Sequence, residues 1–254
     1  MTTPLLEASG ISKKFGGVTA LRELSLAVDH HSTVGLIGPN GAGKTTLFNC
    51  LFGLLRPDTG RVSFDGQVID RLPIYRRARL GIGRTYQRLE LFREMTVGQH
   101  LLAAERSRRR AGGLLLDLLG RGGPAADELA RVQAVLELLG IAELADVGVE
   151  ALSLGHGRLV ELGRALATEP ALLMLDEPSS GLDRPETASL AVTLGRVNAE
   201  RGTAILLVEH DVELVRRLTS RLYVLDFGQL IASGPTADVL ADAAVRRAYL
   251  GPAG

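Results

Sequence analysis

Aromatic residues are scarce in this sequence of 254 residues, where they make up 4% of the chain and tryptophan is absent. Hydrophobic residues nevertheless account for 46% of the total, so the chain can bury a sizeable core built from Leu, Val, Ile and Ala. That composition favours a sheet covered by helices on both faces. The length lies at the upper edge of the usual size of one domain.

Cysteine, net charge and long apolar runs are also missing or nearly so. The single cysteine, Cys50, excludes an intrachain disulfide, and we expect it to be a small buried hydrophobic side chain. The 29 basic and 29 acidic residues give a net charge of zero, which argues against nucleic-acid binding driven by bulk charge. No apolar run approaches the roughly 18 residues that span a bilayer, and the N-terminus is unlike a signal peptide.

The pattern along the chain changes twice. The first third indicates short strands, and the middle is helical from about Thr96 to Ala167. The last third alternates strands with helices, which predicts a largely parallel sheet. The expected elements of this last part are the strands Leu172–Leu175 and Ala204–Val208, the helices Pro185–Glu200 and Val212–Leu218, and a hairpin around Asp226–Gly228.

A glycine-rich segment fits the phosphate-loop pattern G-x-x-x-x-G-K-[ST] at every fixed position. It reads Gly38-Pro39-Asn40-Gly41-Ala42-Gly43-Lys44-Thr45-Thr46 and lies between the apolar run Val34–Ile37 and a predicted helix. Glycines let backbone N–H groups point at phosphate oxygens, and the helix N-terminus adds a favourable dipole. The segment therefore predicts a nucleotide site, in which Lys44 reaches the β- and γ-phosphates and the Thr45 hydroxyl binds Mg²⁺.

A second motif is the apolar strand Leu172–Leu175 followed by two carboxylates, Asp176 and Glu177. In phosphate-loop enzymes an Asp in this position helps to hold Mg²⁺, and the neighbouring Glu can accept a proton from the attacking water. Alone, the motif could be a strand that ends in a solvated acidic turn. The phosphate loop favours the catalytic interpretation, because phosphoryl transfer needs this partner.

Between these motifs lies Leu152-Ser153-Leu154-Gly155-His156-Gly157-Arg158, before a predicted helix Leu159–Ala167. Here the sequence resembles the ATPase subunits of ATP-binding cassette (ABC) transporters, whose signature loop reads L-S-G-G-Q. The resemblance implies that Ser153 and Gly155 contact the γ-phosphate of an ATP molecule bound to another subunit. Leu154 and His156 depart from the family pattern.

The other motifs of this family follow in order. Phe15 matches the aromatic residue that stacks on adenine, Gln87 the Q-loop residue near Mg²⁺, Ser180–Asp183 the D-loop, and His210 the switch histidine. The resemblance implies ATP hydrolysis in which Lys44 binds phosphate, Glu177 polarises the water and His210 stabilises charge on the γ-phosphate. Phe15 as a core aromatic, Gln87 as a solvated loop residue and His210 as an ordinary polar residue remain simpler alternatives.

A narrower resemblance is to the ATPases of branched-chain amino acid importers. It is carried by Lys14–Leu21, Arg84-Thr85-Tyr86-Gln87, Leu91–Val97 and Arg247–Gly251. The Arg-rich and Gly-rich segment Arg106–Pro124 lies where this subfamily has extra length. We expect the clusters Arg76–Arg79 and Arg106–Arg110 to be solvated faces, with partner docking as the alternative.

The resemblance implies an α/β fold: a P-loop NTPase core with a largely parallel sheet and helices, an antiparallel β subdomain and an inserted α-helical subdomain. We expect one ABC ATPase domain, with residues 1–95 and 168–254 forming the core and the β subdomain. Residues from about 96 to 167 would form the helical subdomain.

The resemblance also implies partners. Two ATPase chains, identical or different, would sandwich ATP and Mg²⁺ head to tail on the cytoplasmic face of the inner membrane. Integral membrane permease subunits would be driven directly, and an extracytoplasmic solute-binding protein would be served indirectly. The expected function is import of branched-chain amino acids or related small solutes. Another ABC transporter, such as an exporter, and a non-transport ABC ATPase acting on ribosomes or DNA are alternatives, although the absence of a basic tail argues against the latter.

Overall fold

The computed structural model describes residues 3–85, 89–108 and 123–246. We number the elements in chain order within these ranges. The strands are β1 (Leu6–Phe15), β2 (Val18–Val28), β3 (Thr33–Ile37), β4 (Thr59–Phe64), β5 (Gln67–Val68), β6 (Ile82–Arg84), β7 (Leu172–Asp176), β8 (Ala204–Val208), β9 (Arg221–Asp226) and β10 (Gln229–Pro235).

The helices lie mostly in the middle and last thirds of the chain. They are α1 (Lys44–Phe52), α2 (Ile74–Arg79), α3 (Val97–Arg108), α4 (Ala126–Leu139), α5 (Leu154–Ala167), α6 (Arg184–Arg201), α7 (Val212–Leu218), α8 (Thr236–Ala241) and α9 (Ala243–Val245). No described helix is long and apolar enough to cross a membrane.

The larger sheet has six strands in the order β10-β9-β3-β8-β7-β6. All its neighbours are parallel except β10, which pairs antiparallel with β9 through the predicted hairpin. The smaller sheet, β2-β1-β4-β5, is antiparallel. These two sheets with their helices confirm the predicted α/β fold class.

The central strands are buried on both faces, which explains their continuous apolar sequences. In β7, Leu172 and Met174 join the core beneath α1 and the antiparallel sheet, whereas Leu173 and Leu175 join the core beneath α4, α5 and α6. The same alternation follows β8. Because neighbouring residues of a strand point to opposite faces, each strand holds two hydrophobic layers together.

The helical part of the chain packs directly onto this second layer. Leu101 of α3, Leu136 of α4 and Val160 of α5 belong to the same cluster of buried residues as Leu207 of β8. The predicted boundary between core and helical subdomain therefore stays a prediction. The apolar residues that recur at three- and four-residue spacing along α4 are buried at Val132, Val135, Leu136 and Leu139, whereas Leu129 is 48% exposed.

The structure differs from the sequence-based expectations for two further elements. Helix α5 begins at Leu154 rather than at Leu159, because Ser153 caps it: the Ser153 hydroxyl accepts from the N–H of His156 at 3.2 Å. Strand β6 was not predicted, since three residues carry too little pattern to indicate a strand. Most of the Arg-rich segment, residues 109–122, lies outside the described residues.

Arg77 contradicts the prediction that Arg76–Arg79 is a solvated face. Its side chain is buried with 1% exposure, while Arg76 and Arg79 are exposed. The guanidinium donates to four backbone carbonyls, those of Leu72 at 3.1 Å, Asp70 at 3.3 Å, Cys50 at 3.0 Å and Leu51 at 2.6 Å. Cys50 and Leu51 lie in the last turn of α1, where carbonyls lack helical partners and favour a cation. Arg77 therefore joins α2 to the end of the helix that the phosphate loop begins.

We predict that Arg77→Ala lowers the free energy of unfolding by about 2–4 kcal/mol, because several charge-assisted hydrogen bonds are lost and buried carbonyls remain unpaired. The free energy of unfolding of Arg77→Lys should lie between those of wild type and Arg77→Ala, since an ammonium cannot reach four carbonyls in a fixed planar arrangement. Urea unfolding followed by circular dichroism measures both. Arg76→Ala is the control and should stay within about 0.5 kcal/mol of wild type; equal losses for Arg76→Ala and Arg77→Ala would contradict the role given to Arg77.

Candidate nucleotide site

Three loops with predicted functional residues meet at one edge of the parallel sheet. The phosphate loop follows β3, Asp176 ends β7 with Glu177 directly after it, and His210 follows β8. Strand β8 lies between the other two, pairing Leu36 with Val208 on one side and Asp176 with Val208 on the other. Because the carboxyl ends of neighbouring parallel strands share an edge, ligands of open α/β sheets bind there.

The phosphate loop requires glycine at two positions for different reasons. Gly43 has a φ of 101° and is the N-cap of α1, where it provides no side-chain hydrogen bond to the first turn. The first N–H groups of α1 thus remain available to an anion. At Gly38, a Cβ atom would collide with the carbonyl oxygen of Leu225, so the loop can lie directly against the β9–β10 hairpin only because this residue has no side chain.

Lys44 is held inside the phosphate loop. Its side-chain Nζ donates to the carbonyls of Gly38 at 2.7 Å and Pro39 at 3.0 Å, and the residue is 7% exposed. Burial lowers the pKa of Lys44, while the carboxylates of Glu177 and Asp176 act in the opposite direction. The ammonium is thus already placed at the centre of the loop, where a bound phosphate would offer it stronger acceptors.

Asp176 pairs with a cation that sequence reasoning did not single out. Its Oδ2 accepts from Nη2 of Arg84 at 3.2 Å, and both side chains are buried. Burial raises the pKa of the Asp176 carboxyl, and Arg84 opposes that shift. Arg84 also donates to Oδ1 of Asn49 at 2.8 Å and lies 4.8 Å from the ring centroid of Phe48. Through Arg84, the Asp176 strand is tied to the helix of the phosphate loop.

Glu177 has an unusual backbone. Its φ is 49°, a left-handed conformation that is uncommon for residues other than glycine. The conformation is held by two hydrogen bonds: the N–H of Glu177 donates to the carbonyl of Val208 at 2.9 Å, and its carbonyl accepts from Ser180 at 3.1 Å. Such strain often marks functional positions. The bond to Val208 places Glu177 beside the loop of His210.

The residues present fit a magnesium ion that is shared with a nucleotide. Mg²⁺ prefers oxygen ligands and is usually bound by one or two carboxylates together with water and substrate phosphates. The Thr45 hydroxyl at the start of α1 and the buried Asp176 carboxylate are ligands of this kind. Among the described residues there is no cluster of three or more His, Cys, Asp or Glu that could hold a metal ion.

The signature segment packs against the D-loop. A Cβ atom on Gly155 would come within 2.7 Å of Oε1 of Glu186, and one on Gly181 within 2.8 Å of the Leu154 side chain. Nη2 of Arg158 donates to the Ser180 carbonyl at 3.3 Å. Ser153 and His156 are exposed at the start of α5. The surface formed by Ser153 and Gly155, which we call the signature surface, therefore packs against the segment that follows Glu177.

The remaining predicted site residues are placed as follows. Phe15 ends β1 and is 47% exposed, with Nζ of Lys13 5.6 Å from its ring centroid. Asn40 and Gly41 are exposed in the phosphate loop, and Thr46 is partly buried in the first turn of α1. Gln87 lies outside the described residues.

Sequence reasoning missed Arg84 and Glu209 as parts of this site. Glu209 directly follows the apolar strand β8, and a charged residue at that position was the available signal. Arg84 ends β6, whose three residues gave no comparable signal. Their partners are 92 and 30 residues away in sequence, so only the folded chain reveals the contacts.

We predict that Arg84→Met lowers the free energy of unfolding by about 3 kcal/mol, because the buried Asp176 carboxylate loses its nearest cation. The double variant Arg84→Met/Asp176→Asn should recover much of that loss, since no uncompensated charge remains. Denaturant unfolding of wild type, the two single variants Arg84→Met and Asp176→Asn, and the double variant gives a complete double-mutant cycle. Strictly additive effects would contradict a direct interaction between the two side chains.

Comparison with known proteins agrees with this geometry. A family model described as "ABC transporter" matches residues 21–180, and a model described as "Branched-chain amino acid ATP-binding cassette transporter" matches residues 229–251. The high-affinity branched-chain amino acid transport ATP-binding protein LivG of Salmonella typhimurium is 39% identical over 256 residues, with all of both chains covered. The corresponding BraF of Pseudomonas aeruginosa is 37% identical over 257 residues, again covering both chains fully.

Among solved structures, the chain is similar to the ADP conformation of MJ1267, an ATP-binding cassette of an ABC transporter. The TM-score is 0.86 at 32% sequence identity, and the match covers 99% of this chain and 100% of that one. The family model, the full-length relatives and the fold agree. The chain therefore belongs to the ABC transporter family, as an ATP-binding cassette of the kind that hydrolyses ATP.

Proposed function

We propose that this chain powers the import of branched-chain amino acids or related small solutes, as one of two ATPase subunits on the cytoplasmic face of a membrane. The observation that carries the proposal is the convergence of Lys44, Glu177 and His210 on the edge formed by β3, β7 and β8. The transported solute is supported by the names of the two relatives described above, and the family model matched at the C-terminus has the same association.

In the proposed reaction, water attacks the γ-phosphorus of ATP, the bond to the β–γ bridging oxygen breaks, and ADP and phosphate form. Glu177 accepts the proton of the attacking water. Lys44 exchanges its present carbonyl acceptors for the β- and γ-phosphate oxygens, and His210 stabilises charge on the γ-phosphate. Mg²⁺ bound near Thr45, Asp176 and Gln87 would neutralise phosphate charge. Phe15 stacks on adenine.

A dimer completes each site in this proposal. Ser153 and Gly155 lie at the start of α5, beside the D-loop, whereas the phosphate loop lies at the start of α1 against the β9–β10 hairpin. As the resemblance to ABC ATPases implies, Ser153 and Gly155 of one chain would contact the ATP that is bound to the phosphate loop of the other chain. ATP would close the dimer and hydrolysis would open it, in the manner of switches held by a γ-phosphate.

A groove lined by α2, β6, α3 and α5 suits the membrane partner. It encloses about 350 Å³ and lies between α2 and β6 on one side and α3 and α5 on the other. Its lining includes small side chains such as Ala78 and Ala103, and Phe92 at its edge is 62% exposed. A groove with these properties can accept a helix end from another chain. We propose that a permease subunit docks here and senses the opening and closing of the dimer.

Glu177→Gln tests the catalytic assignment. The variant should bind ATP like wild type but lose turnover, because an amide cannot accept the proton, and it should accumulate as a closed dimer with ATP. A phosphate-release assay measures the turnover, and size-exclusion chromatography measures the closed dimer, which reports ATP binding as well because it forms only with ATP bound. Glu143→Gln, at an exposed carboxylate, is the control and should match wild type. Wild-type turnover by Glu177→Gln would contradict the assignment.

Ala103→Trp tests the docking groove. The larger side chain should fill the groove and reduce co-purification with co-expressed membrane subunits at least tenfold, whereas ATP binding should remain within about twofold of wild type. Ala199→Trp, at an exposed position of α6, is the matched control and should co-purify normally. Retention of the membrane subunits by Ala103→Trp would exclude this groove as the docking site.

A further inference from the structure

Glu209 is a carboxylate with no exposed surface, located between β8 and the switch histidine. The proposed mechanism leaves it without a role. Burying a carboxylate is costly unless it is hydrogen-bonded, so its partners reveal what the residue holds in place.

The two carboxylate oxygens of Glu209 bind two different loops. Oε1 accepts from the N–H of Ser179 at 2.9 Å, and Oε2 accepts from the N–H groups of His210 at 3.1 Å and Asp211 at 3.4 Å. Ser179 is two residues beyond Glu177. One side chain thus connects the loop of the proposed base to the loop of the proposed switch residue.

Glu209 also has a fixed position relative to the phosphate loop and to the His210 ring. Its own N–H donates to the carbonyl of Leu36 at 3.4 Å, in the strand that leads into the phosphate loop. Nδ1 of His210 lies 3.7 Å from Oε2. The carboxylate therefore joins the loops that follow β7 and β8, while the backbone of Glu209 is bonded to β3. The carboxylate's hydrogen bonds form together only at one spacing of those two loops.

We propose that Glu209 is a positioning residue for ATP hydrolysis, whose carboxylate sets the distance and orientation between Glu177 and His210. This inference rests on the proposed roles of these two residues. It assigns to Glu209 a contribution to the chemical step and none to nucleotide binding, because its contacts are with backbone N–H groups behind the site. Misplacement of a reacting group by about 1 Å can slow a reaction on the order of 100-fold.

Glu209→Gln is the first variant to measure, using the full chain. The amide keeps the shape of the side chain but places an NH₂ group against N–H donors, so the loops should shift. We expect kcat to fall about 10- to 100-fold while the affinity for a fluorescent ATP analogue stays within about twofold. Glu105→Gln removes another buried carboxylate, which pairs with Arg131 in the helical part at 2.6 Å. This control should lose stability with kcat unchanged.

A double-variant cycle separates positioning from general destabilisation. If Glu209 acts through the histidine loop, Glu209→Gln should have little further effect on kcat in a His210→Ala background. Glu209→Asp keeps the charge but is one methylene too short to reach both loops, so it should give an intermediate kcat. It also serves as the test variant if Glu209→Gln does not fold.

The outcomes are distinguishable from failure of the proposed function. If the wild-type protein hydrolyses ATP and Glu177→Gln does not, the catalytic assignment on which the inference depends is supported. If that holds and both Glu209 variants keep wild-type kcat, or if the Glu209 and His210 effects simply multiply, the positioning role is overturned. An equal loss of nucleotide affinity and kcat would also overturn it, because that result indicates a general structural role.

Discussion

The parallel ladder of β3, β8 and β7 is the constraint on which the site depends. Because the three strands are hydrogen-bonded in one register, their carboxyl ends lie at the same edge and the loops that follow them must meet. The two hydrophobic layers on either side of these strands prevent them from sliding, since a shift by one residue would turn every buried side chain to the opposite face. The rigidity of the site is therefore a property of the core, and the loops only provide the functional groups.

Several charged side chains are buried at or behind this edge, and each is satisfied differently. Lys44 donates to loop carbonyls, Arg84 pairs with Asp176, and Glu209 accepts from backbone N–H groups of two loops. These bonds hold the charged groups in position within the fold. Preorganised charges of this kind are an important source of catalysis in phosphoryl transfer, because little reorganisation remains to be done in the transition state.

The signature surface is attached to the loop that follows the proposed base. Leu154 contacts Gly181, and Arg158 donates to Ser180, so movement of the segment after Glu177 would move the start of α5 as well. Helix α5 also lines the groove that it forms with α2, β6 and α3. A continuous set of packed elements therefore connects the segment after Glu177 with the groove.

The sequence by itself determined the phosphate loop, the acidic motif, the strand Ala204–Val208 and the helix Val212–Leu218, because each depends on short-range pattern and local turn chemistry. The tertiary structure alone decided the partners of Arg77, Arg84 and Glu209. Local sequence classifies these residues only as charged, and whether such a side chain is solvated or buried depends on carbonyls, carboxylates and N–H groups that other segments supply. Contacts between segments 26 to 92 residues apart form only once the sheet has brought those segments together, so the sequence pattern of either segment does not reveal them.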